Sequence, residues 1–426
     1  MARVVHISDV EGSWARLSSF VLRTPGLRFF DGDRIDVDAD VVFVMGGDAV
    51  DRGPWSRRVL RALLDVKERQ PDRVVLLAGN RDLNKLRLIR ELQGALPKKA
   101  PPEVRALLSS SRADVLRWIM SNTMGAQQAF DLRKVELVAE GAAPSDDDVV
   151  DSILADLRPD TGLHFRYLQR CQLAYRHGAT LFVHGGFADE ALGHVPGEAP
   201  RDDVDAWVDA LNAFCAAQLE RYADDPGRIV DAGVDVEPSW LPLVLYQAPV
   251  KGLGRNPHSV VYGRFGSDAW NNPRLPSSSS LRWLRERGVR RVVVGHTPCG
   301  DLPAFLKSEQ GCEVVIADNS RGRVDTGLSL TITDDVVAVR ASTILDDDRA
   351  LDLAYAVPAD DDGVTGRVTG TGHLVKAIVH GHDGLVDDGA PAALLFRCDE
   401  GYVVHQTACK ATSLGALRPP VDAPST

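Results

Sequence analysis

The sequence of 426 residues lacks the features of a disulfide-rich secreted protein or a membrane protein. Its six cysteines include no CxxC pair, so neither a zinc ribbon nor a dense disulfide framework is indicated, and reduced thiols are expected. No apolar run approaches the roughly 20 residues of a membrane-spanning helix, and the first residues, MARVVHISD, leave no room for the apolar part of a signal peptide. A cytoplasmic protein without a membrane partner is predicted.

The sequence also has fewer positive than negative side chains. The 49 Lys and Arg residues stand against 60 Asp and Glu residues, which gives a formal net charge of -11 at pH 7. Phosphate backbones and anionic lipids are bound mainly by an excess of Lys and Arg, so a nucleic acid duplex is not an expected partner. A ligand that carries phosphate would therefore have to be held by a metal ion or by a local group of arginines.

The sequence does contain five short apolar segments rich in Val, Ile and Leu, each followed by polar residues. They are RVVHISDVEG (3–12), DVVFVMGGDAVDRG (40–53), RVVLLAGNRD (73–82), ATLFVHGG (179–186) and RRVVVGHTP (290–298). Nearly continuous apolar runs bounded by glycine predict strands that are buried on both faces. Between them, WSRRVLRALLDVKERQ (55–70) has one apolar and one charged helical face, which predicts a βαβ crossover.

Two long segments, at about 95–175 and 190–285, interrupt this series and are predicted to be largely helical. Insertions of this size at strand ends usually cover a binding site, so we expect them to form a cap. Later in the chain, short alternating strands are separated by acidic and glycine-rich turns. We predict a main domain over residues 1–342 and a small β-rich module over residues 343–426, which ends in a disordered tail.

The ends of the five predicted strands carry residue types that bind divalent metals. Carboxylates, amide oxygens and neutral imidazoles are ligands of Mn, Fe and Zn. Each of these residues by itself is explained more simply as a turn, a helix cap or a satisfied polar group. Their recurrence after every strand indicates a metal site at one edge of a sheet. The residues are Asp9, Glu11, Asp48, Asp51, Asn80, His184 and His296.

The series SDVEG, GGDAVDRG, GNRD, VHGG and GHTP resembles the calcineurin-like metallophosphoesterases, within them the branch of Ser/Thr protein phosphatases and bacterial diadenosine tetraphosphatases. The resemblance spans residues ~3 to 320 and implies an α/β fold, with a four-layer α/β/β/α core, a helical cap insertion and a small C-terminal β module. It also implies two divalent ions, with Mn favoured and Fe, Mg or Zn as alternatives. Asp48 would bridge both ions, Asp9 and Glu11 would bind the first, and the second would be bound by Asn80, His184 and His296.

The resemblance implies a reaction as well. Two metal ions lower the pKa of a bound water, so that hydroxide is available to attack phosphorus, and Arg52 would contact the substrate phosphate. We predict a metal-dependent phosphohydrolase that acts on a phosphate ester or anhydride of a small metabolite or nucleotide. A Ser/Thr protein phosphatase is the alternative enzyme, and a non-catalytic metal-binding scaffold is the alternative of another class.

Two positions depart from the family pattern. Glu11 stands where the family usually has a histidine ligand, and Arg81 stands where a histidine hydrogen-bonds or protonates the leaving oxygen, with Asp82 as its partner. Arginine keeps its proton, so it cannot act as a general acid, although it can stabilise developing negative charge. Two accounts stay open. Either Arg81 serves leaving groups that need little protonation, such as phosphoanhydrides, or it neutralises the extra carboxylate of Glu11 while a His or Tyr of the cap supplies the proton.

Three further features are weaker candidates for substrate binding. Trp14 and Trp55 closely follow two of the motifs, and either stack on a substrate ring or pack against the first turn of a helix. The basic stretch KGLGRNPHSVVYGRFG is predicted to be a surface loop. Its alternative role is to supply a cation to a polyphosphate or acidic ligand, from Lys251, Arg255 or Arg264.

Overall fold

The computed structural model describes residues 2–227, 237–266, 272–382, 384–386 and 389–419. The predicted disordered tail, from residue 420 onward, lies outside the described residues. The first sheet has seven strands, and its middle strands are parallel to one another. From edge to edge they are β14 (Ala350–Pro358), β13 (Val336–Ile344), β12 (Ser329–Ile332), β1 (Arg3–Ile7), β4 (Val41–Met45), β5 (Val74–Leu77) and β6 (Cys171–Gln172).

Two five-stranded sheets and one hairpin complete the described strands. In the second sheet the order is β10 (Ala304–Lys307), β11 (Glu313–Ile316), β9 (Arg291–Val294), β8 (Thr180–Val183) and β7 (Ala174–His177). In the third sheet it is β18 (Val403–Lys410), β17 (Ala392–Asp399), β16 (Leu374–Val379), β15 (Val368–Thr369) and β19 (Leu417–Arg418). The hairpin consists of β2 (Leu27–Phe30) and β3 (Arg34–Val37).

The helices follow the amphipathic pattern of the sequence. In the predicted crossover helix, Val59, Leu60 and Leu63 are fully buried, and the helix joins the parallel strands β4 and β5. Among the described residues, no helix is both long and apolar enough to cross a membrane. The helices are α1 (Trp14–Arg23), α2 (Ser56–Arg69), α3 (Asn80–Leu83), α4 (Leu88–Leu92), α5 (Pro102–Ala106), α6 (Arg112–Thr123), α7 (Ala129–Ala139), α8 (Asp146–Ala155), α9 (Leu163–Leu168), α10 (Val204–Asp224), α11 (Leu241–Tyr246) and α12 (Ser278–Glu286).

The core is layered as helix, sheet, sheet, helix. Val4 and Val44 of the first sheet pack in one buried cluster with Phe182 and Val293 of the second sheet. On the outer face of the first sheet, the side chains of β1, β4 and β5 pack against α1 and α2. The outer face of the second sheet packs against α10 and α12. Both faces of each sheet are therefore covered, which confirms the predicted four-layer α/β/β/α core.

The insertions and the C-terminal strands have distinct packing. Helices α5 to α8 of the first insertion share an apolar cluster of their own with the preceding helix α4. Strands β13 and β14 extend the first sheet by antiparallel pairing, although β14 lies beyond the predicted boundary at residue 342. The strands of the third sheet follow from residue 368. The predicted boundary between residues 342 and 343 therefore falls inside strand β13, and the division of the chain into a main domain and a β module stays a prediction.

The third sheet is attached to the loop that follows β9. Its buried Lys376 ammonium donates to the carbonyl oxygens of Cys299 and Leu302, and lies 4.3 Å from the centre of the Phe396 ring. The Gln406 amide donates to the Asp301 carboxylate at 2.7 Å, and its oxygen accepts from the Asp301 backbone N–H at 2.7 Å. These contacts hold the third sheet against the loop that contains His296, a predicted metal ligand.

Replacing Lys376 with methionine (K376M) is expected to lower the free energy of unfolding by about 1–3 kcal/mol. The apolar stem would still pack, but two buried carbonyl groups would lose their donor. Urea denaturation followed by fluorescence measures the effect. The exposed Lys251 offers the control K251M, which should change stability by less than about 0.5 kcal/mol. Equal stabilities of the two variants would contradict the attachment described above.

Candidate active site

The predicted ligands meet because they follow parallel strands in two sheets that pack on each other. Asp9, Asp48 and Asn80 follow β1, β4 and β5 of the first sheet, and His184 and His296 follow β8 and β9 of the second. The carboxyl ends of parallel strands lie at one edge, where ligands bind in open α/β sheets. Asp9, Asp48, Asn80 and His296 line a cleft of about 720 Å³ at this edge.

Four of these side chains form a compact group. Ligand atoms of Asp48, His184 and His296 all lie within 4.8 Å of one another, and the three residues are buried. The Nε2 atom of His184 lies 3.3 Å from Asp48 Oδ1 and 3.3 Å from the side-chain oxygen of Asn80. The structure thus brings together four residues that are separated widely in the sequence.

The hydrogen bonds of the two histidines show that this group fits a cation. The Nδ1 atom of His184 is 2.8 Å from the carbonyl oxygen of Gly46, which can only accept, so the ring proton is on Nδ1. The Nε2 atom then faces two oxygen atoms, so in the neutral ring its lone pair has no donor to accept from. The Nε2 atom of His296 is buried and has no hydrogen-bond partner among the described residues. A divalent metal would satisfy these lone pairs.

Asp9 lies next to this group. Its carboxylate accepts hydrogen bonds from the Ser8 hydroxyl at 2.5 Å and from the backbone N–H of His296 at 3.1 Å. Burial, together with the negative charges of Asp318 and Asp48, raises the pKa of Asp9 well above its usual range. Carboxylates crowded in this way need a nearby positive charge, which a bound metal ion would supply.

The two residues that depart from the family pattern contact each other. Arg81 Nε lies 2.8 Å from one carboxylate oxygen of Glu11, and an Arg52 nitrogen lies 3.1 Å from the other. Arg81 also approaches the carboxylates of Asp48 at 3.5 Å and Asp51 at 3.8 Å. Burial raises the pKa of Glu11 to about 7 in spite of both guanidinium groups. Of the two accounts of Arg81, these contacts favour the neutralisation of Glu11.

Asp82 connects two of the motif loops. Its carboxylate accepts from the backbone N–H groups of Asp48, Ala49 and Gly79, each at 2.9 Å. No hydrogen bond or ion pair joins it to the Arg81 guanidinium in the described part of the chain. Burial and the neighbouring Asp48 raise the pKa of Asp82 to about 8. These contacts orient the loop of Asp48. The family resemblance, in contrast, implies that Asp82 is the partner of the residue at position 81.

The backbone of the site is held in a conformation that L-residues rarely adopt. Asp9, Glu11, Asp48 and His296 have φ angles of 52°, 50°, 54° and 57°. Each such residue costs roughly 1–2 kcal/mol, and strain of this kind clusters at functional sites. A side chain at position 79 would place its Cβ 2.1 Å from the Asp48 carboxylate, so only glycine allows this approach.

Several other residues line the cleft, and of these the sequence indicated only Arg264. Asp318 follows β11, so it has the same strand-end position as the predicted ligands and a similar search would have found it. Arg264 was one of three alternatives in its segment, and its guanidinium donates to the carbonyl oxygen of His296 at 2.9 Å. Arg321 and Tyr402 also line the cleft, and nothing in their local sequence indicated a site.

The structure places the two tryptophans elsewhere. Trp14 packs against Phe29, with ring centres 5.7 Å apart, and the Arg58 guanidinium lies 4.1 Å from its ring centre. Trp55 lies beside the same arginine and lines a separate surface depression near Asp33. Neither residue is among those that line the cleft in the described part of the chain. Their contacts are those of residues that pack at the start of a helix.

A four-layer α/β/β/α core with buried metal donors at its strand ends, and with arginines beside them, defines a metal-dependent phosphohydrolase. The chain belongs to the calcineurin-like phosphoesterase family, whose sequence model matches residues 2–300. It is therefore a phosphoric ester hydrolase that acts on phosphorylated substrates.

Solved structures of two phosphatases are similar to the chain. One is a cold-active protein-tyrosine phosphatase of a psychrophilic Shewanella, at 16% identity over 83% of this chain and 80% of that chain, with a TM-score of 0.42. The other is a protein serine/threonine phosphatase from Saccharomyces cerevisiae, at 12% identity over 84% of this chain and 81% of that chain, with a TM-score of 0.34. No curated protein shows significant similarity to the chain.

Proposed function

We propose that the protein is a cytoplasmic enzyme that uses a dinuclear metal centre to hydrolyse a phosphate ester or anhydride of a small metabolite or nucleotide. The single observation that carries this proposal is the buried, compact group of metal-ligand atoms around Asp48. Asn80, His184 and His296 would hold one ion, Asp9 and Glu11 the other, and Asp48 both. Bound ions would lower the pKa of a water molecule and neutralise charge on the transferred phosphoryl group.

The chain's own cations would orient the substrate. Arg52 pairs with Glu11, yet about a third of its side chain (34%) is exposed toward the cleft. A guanidinium group in this position can bind two oxygens of a phosphoryl group at once. Arg264 lies in the same cleft beside His296, so the phosphoryl group would be held from two sides.

The metal preference and the leaving group follow from Glu11 and Arg81. A carboxylate in place of an imidazole makes the first site harder, which favours Mn, Fe or Mg over Zn. Because Arg81 is engaged with Glu11 and keeps its proton, it cannot protonate a leaving group. The proposed function assigns no other residue as proton donor, so the site should prefer anhydrides and activated esters over alkyl monoesters.

Removal of the metal is expected to abolish turnover, and addition of Mn to restore it, because the donors around Asp48 cannot activate water by themselves. Elemental analysis of the purified protein should give about two ions per chain. Turnover is then measured with an aryl phosphate, nucleotides, dinucleotide polyphosphates and phosphopeptides.

The substrate panel separates the alternatives. Faster hydrolysis of phosphopeptides than of every nucleotide would indicate a protein phosphatase. Metal binding without turnover of any substrate would indicate a scaffold. Turnover that is unaffected by complete removal of metal would refute the proposal.

A further inference from the structure

The third sheet forms part of the wall of the cleft. Its β17–β18 turn carries Tyr402, which lines the cleft together with Asp9, Glu11 and His296. Across from Tyr402, the loop after β11 carries Arg321, whose guanidinium carbon lies 4.5 Å from the centre of the Tyr402 ring. A guanidinium group over an aromatic face is attracted to it and is held in a defined orientation. Two segments that are remote in sequence thus meet beside the metal site.

Arg321 differs from Arg52, Arg81 and Arg87, which line the same cleft, because each of those three has a carboxylate partner. Arg52 and Arg81 both pair with Glu11, and Arg87 pairs with Glu91 at 3.3 Å. Among the described residues, the Arg321 guanidinium has no ion pair or hydrogen bond, and its contact is the Tyr402 ring. Burial and repulsion by the charge of Arg52 lower the pKa of Arg321, although an arginine still keeps its proton at neutral pH. An anion in the cleft would supply the missing negative charge.

The positions of Arg321 and Tyr402 relative to each other are secured by their neighbours. Two residues after Arg321, the guanidinium of Arg323 donates at 2.6 Å to the carbonyl oxygen of Val404, which is two residues after Tyr402. The same guanidinium donates at 2.6 Å to the carboxylate of Asp346. Because the bond from Arg323 to Val404 joins the two segments directly, the Arg321–Tyr402 contact does not depend on a bound ligand.

We propose that Arg321, held by the Tyr402 ring, binds an anionic group of the substrate other than the phosphoryl group that is transferred. This inference rests on the proposed function, in which the metal ions, Arg52 and Arg264 hold the transferred group. Arg321 is then a further cation in the same cleft, in reach of the next phosphate of a chain. The substrate class is a molecule with adjacent phosphates, such as a nucleoside polyphosphate. Such anhydrides also need no protonation of the leaving group, which agrees with the engagement of Arg81.

The variant R321Q tests this assignment with two substrates. For adenosine triphosphate, the KM is expected to rise about tenfold or more, with kcat nearly unchanged, because a charge-assisted contact to a remote group is lost. For p-nitrophenyl phosphate, which has a single phosphate, kcat/KM should change by less than about twofold. The exposed Arg282 offers the matched control R282Q, which should leave both substrates unaffected.

Two variants of Tyr402 test the role of the ring. Y402A is expected to raise the KM for adenosine triphosphate about two- to fivefold, because the ring no longer orients Arg321. Y402F keeps the aromatic face and should resemble the unchanged protein. An equal effect of Y402A and Y402F would contradict a role of the ring.

A binding measurement separates failure of this inference from failure of the proposed function. Titration calorimetry with inorganic tripolyphosphate should show about tenfold weaker binding to R321Q than to the unchanged protein, whether or not any substrate is turned over. Equal losses for both substrates would assign Arg321 to the transferred phosphoryl group and overturn the inference. Unchanged kinetics and unchanged tripolyphosphate binding, or no binding by the unchanged protein, would overturn it as well.

Discussion

Replacing Asp48 with asparagine (D48N) is expected to lower kcat/KM on the order of 10³-fold, and to remove bound metal. The Asp48 carboxylate lies 3.3 Å from the Nε2 atom of His184, within the compact group of donors. Asparagine has the same shape but no negative charge, so the donor group loses the ligand proposed to bridge both ions. Initial rates and elemental analysis of the same preparation measure both effects.

The substitution is mild for the fold. Asp48 has a φ of 54°, a conformation that asparagine adopts more readily than most residues. The side-chain oxygen that accepts from the Arg81 backbone N–H at 2.8 Å can be kept. Asp31 provides a matched control, because it has a φ of 46° and is exposed in the β2–β3 turn. D31N should keep full activity. Wild-type turnover and metal content in D48N would refute the assignment of the site.

Replacing Arg81 alone is expected to destabilise the protein by about 3 kcal/mol, because it leaves Glu11 buried with less compensation. Arg81 and Glu11 are 88% and 94% buried by side-chain area, from exposures of 12% and 6%. The double variant E11H/R81H, which restores the two residues usual in the family, should recover much of this stability. The unchanged protein, E11H, R81H and E11H/R81H form a double-mutant cycle. We expect a coupling energy of about 1–3 kcal/mol between the two positions, measured by urea denaturation.

The same cycle distinguishes the two accounts of Arg81. Neutralisation of Glu11 predicts that R81H by itself gains little activity on alkyl phosphates, because the loss of compensation disturbs the site. A large gain in alkyl phosphate hydrolysis by R81H, without loss of stability, would support the account in which Arg81 replaces a proton donor. The partly exposed pair of Arg58 and Asp33, 2.6 Å apart, serves as a comparison. Its coupling should be less than about 1 kcal/mol.

The central part of the site was predictable because its information is local. Each apolar run of β1, β4, β5, β8 and β9 ends one to three residues before a metal-ligand residue type. Parallel strands bring the residues of each sheet to one edge, and the packing of the two sheets on each other brings both sets together. For this reason Asp48, Asn80, His184 and His296 form the expected group. Asp318 follows β11 in the same way, and only the lack of a motif around it kept it out of the prediction.

The partners of charged side chains were not predictable in the same way. The sequence left open whether Arg81 faces Glu11 or the leaving group, because a long flexible side chain reaches several positions from one backbone site. The left-handed conformations of Asp9, Glu11 and His296 were equally hidden, since a strained φ requires support from the surrounding fold. Likewise Trp14 and Trp55 follow motifs closely in sequence, yet their side chains point to Arg58 and away from the cleft.

By itself, the sequence determined the strands, the layered core, the family and the donors at the strand ends. The strands and the donors depend on hydrophobic periodicity and on residue types next to one another in the chain, whereas the layered core and the family rest on the resemblance of the motifs. Only the tertiary structure decided that β13 and β14 join the first sheet and that Tyr402 reaches the cleft beside Arg321. Such contacts join segments far apart in the chain, and packing and loop closure select them without leaving a pattern in either segment.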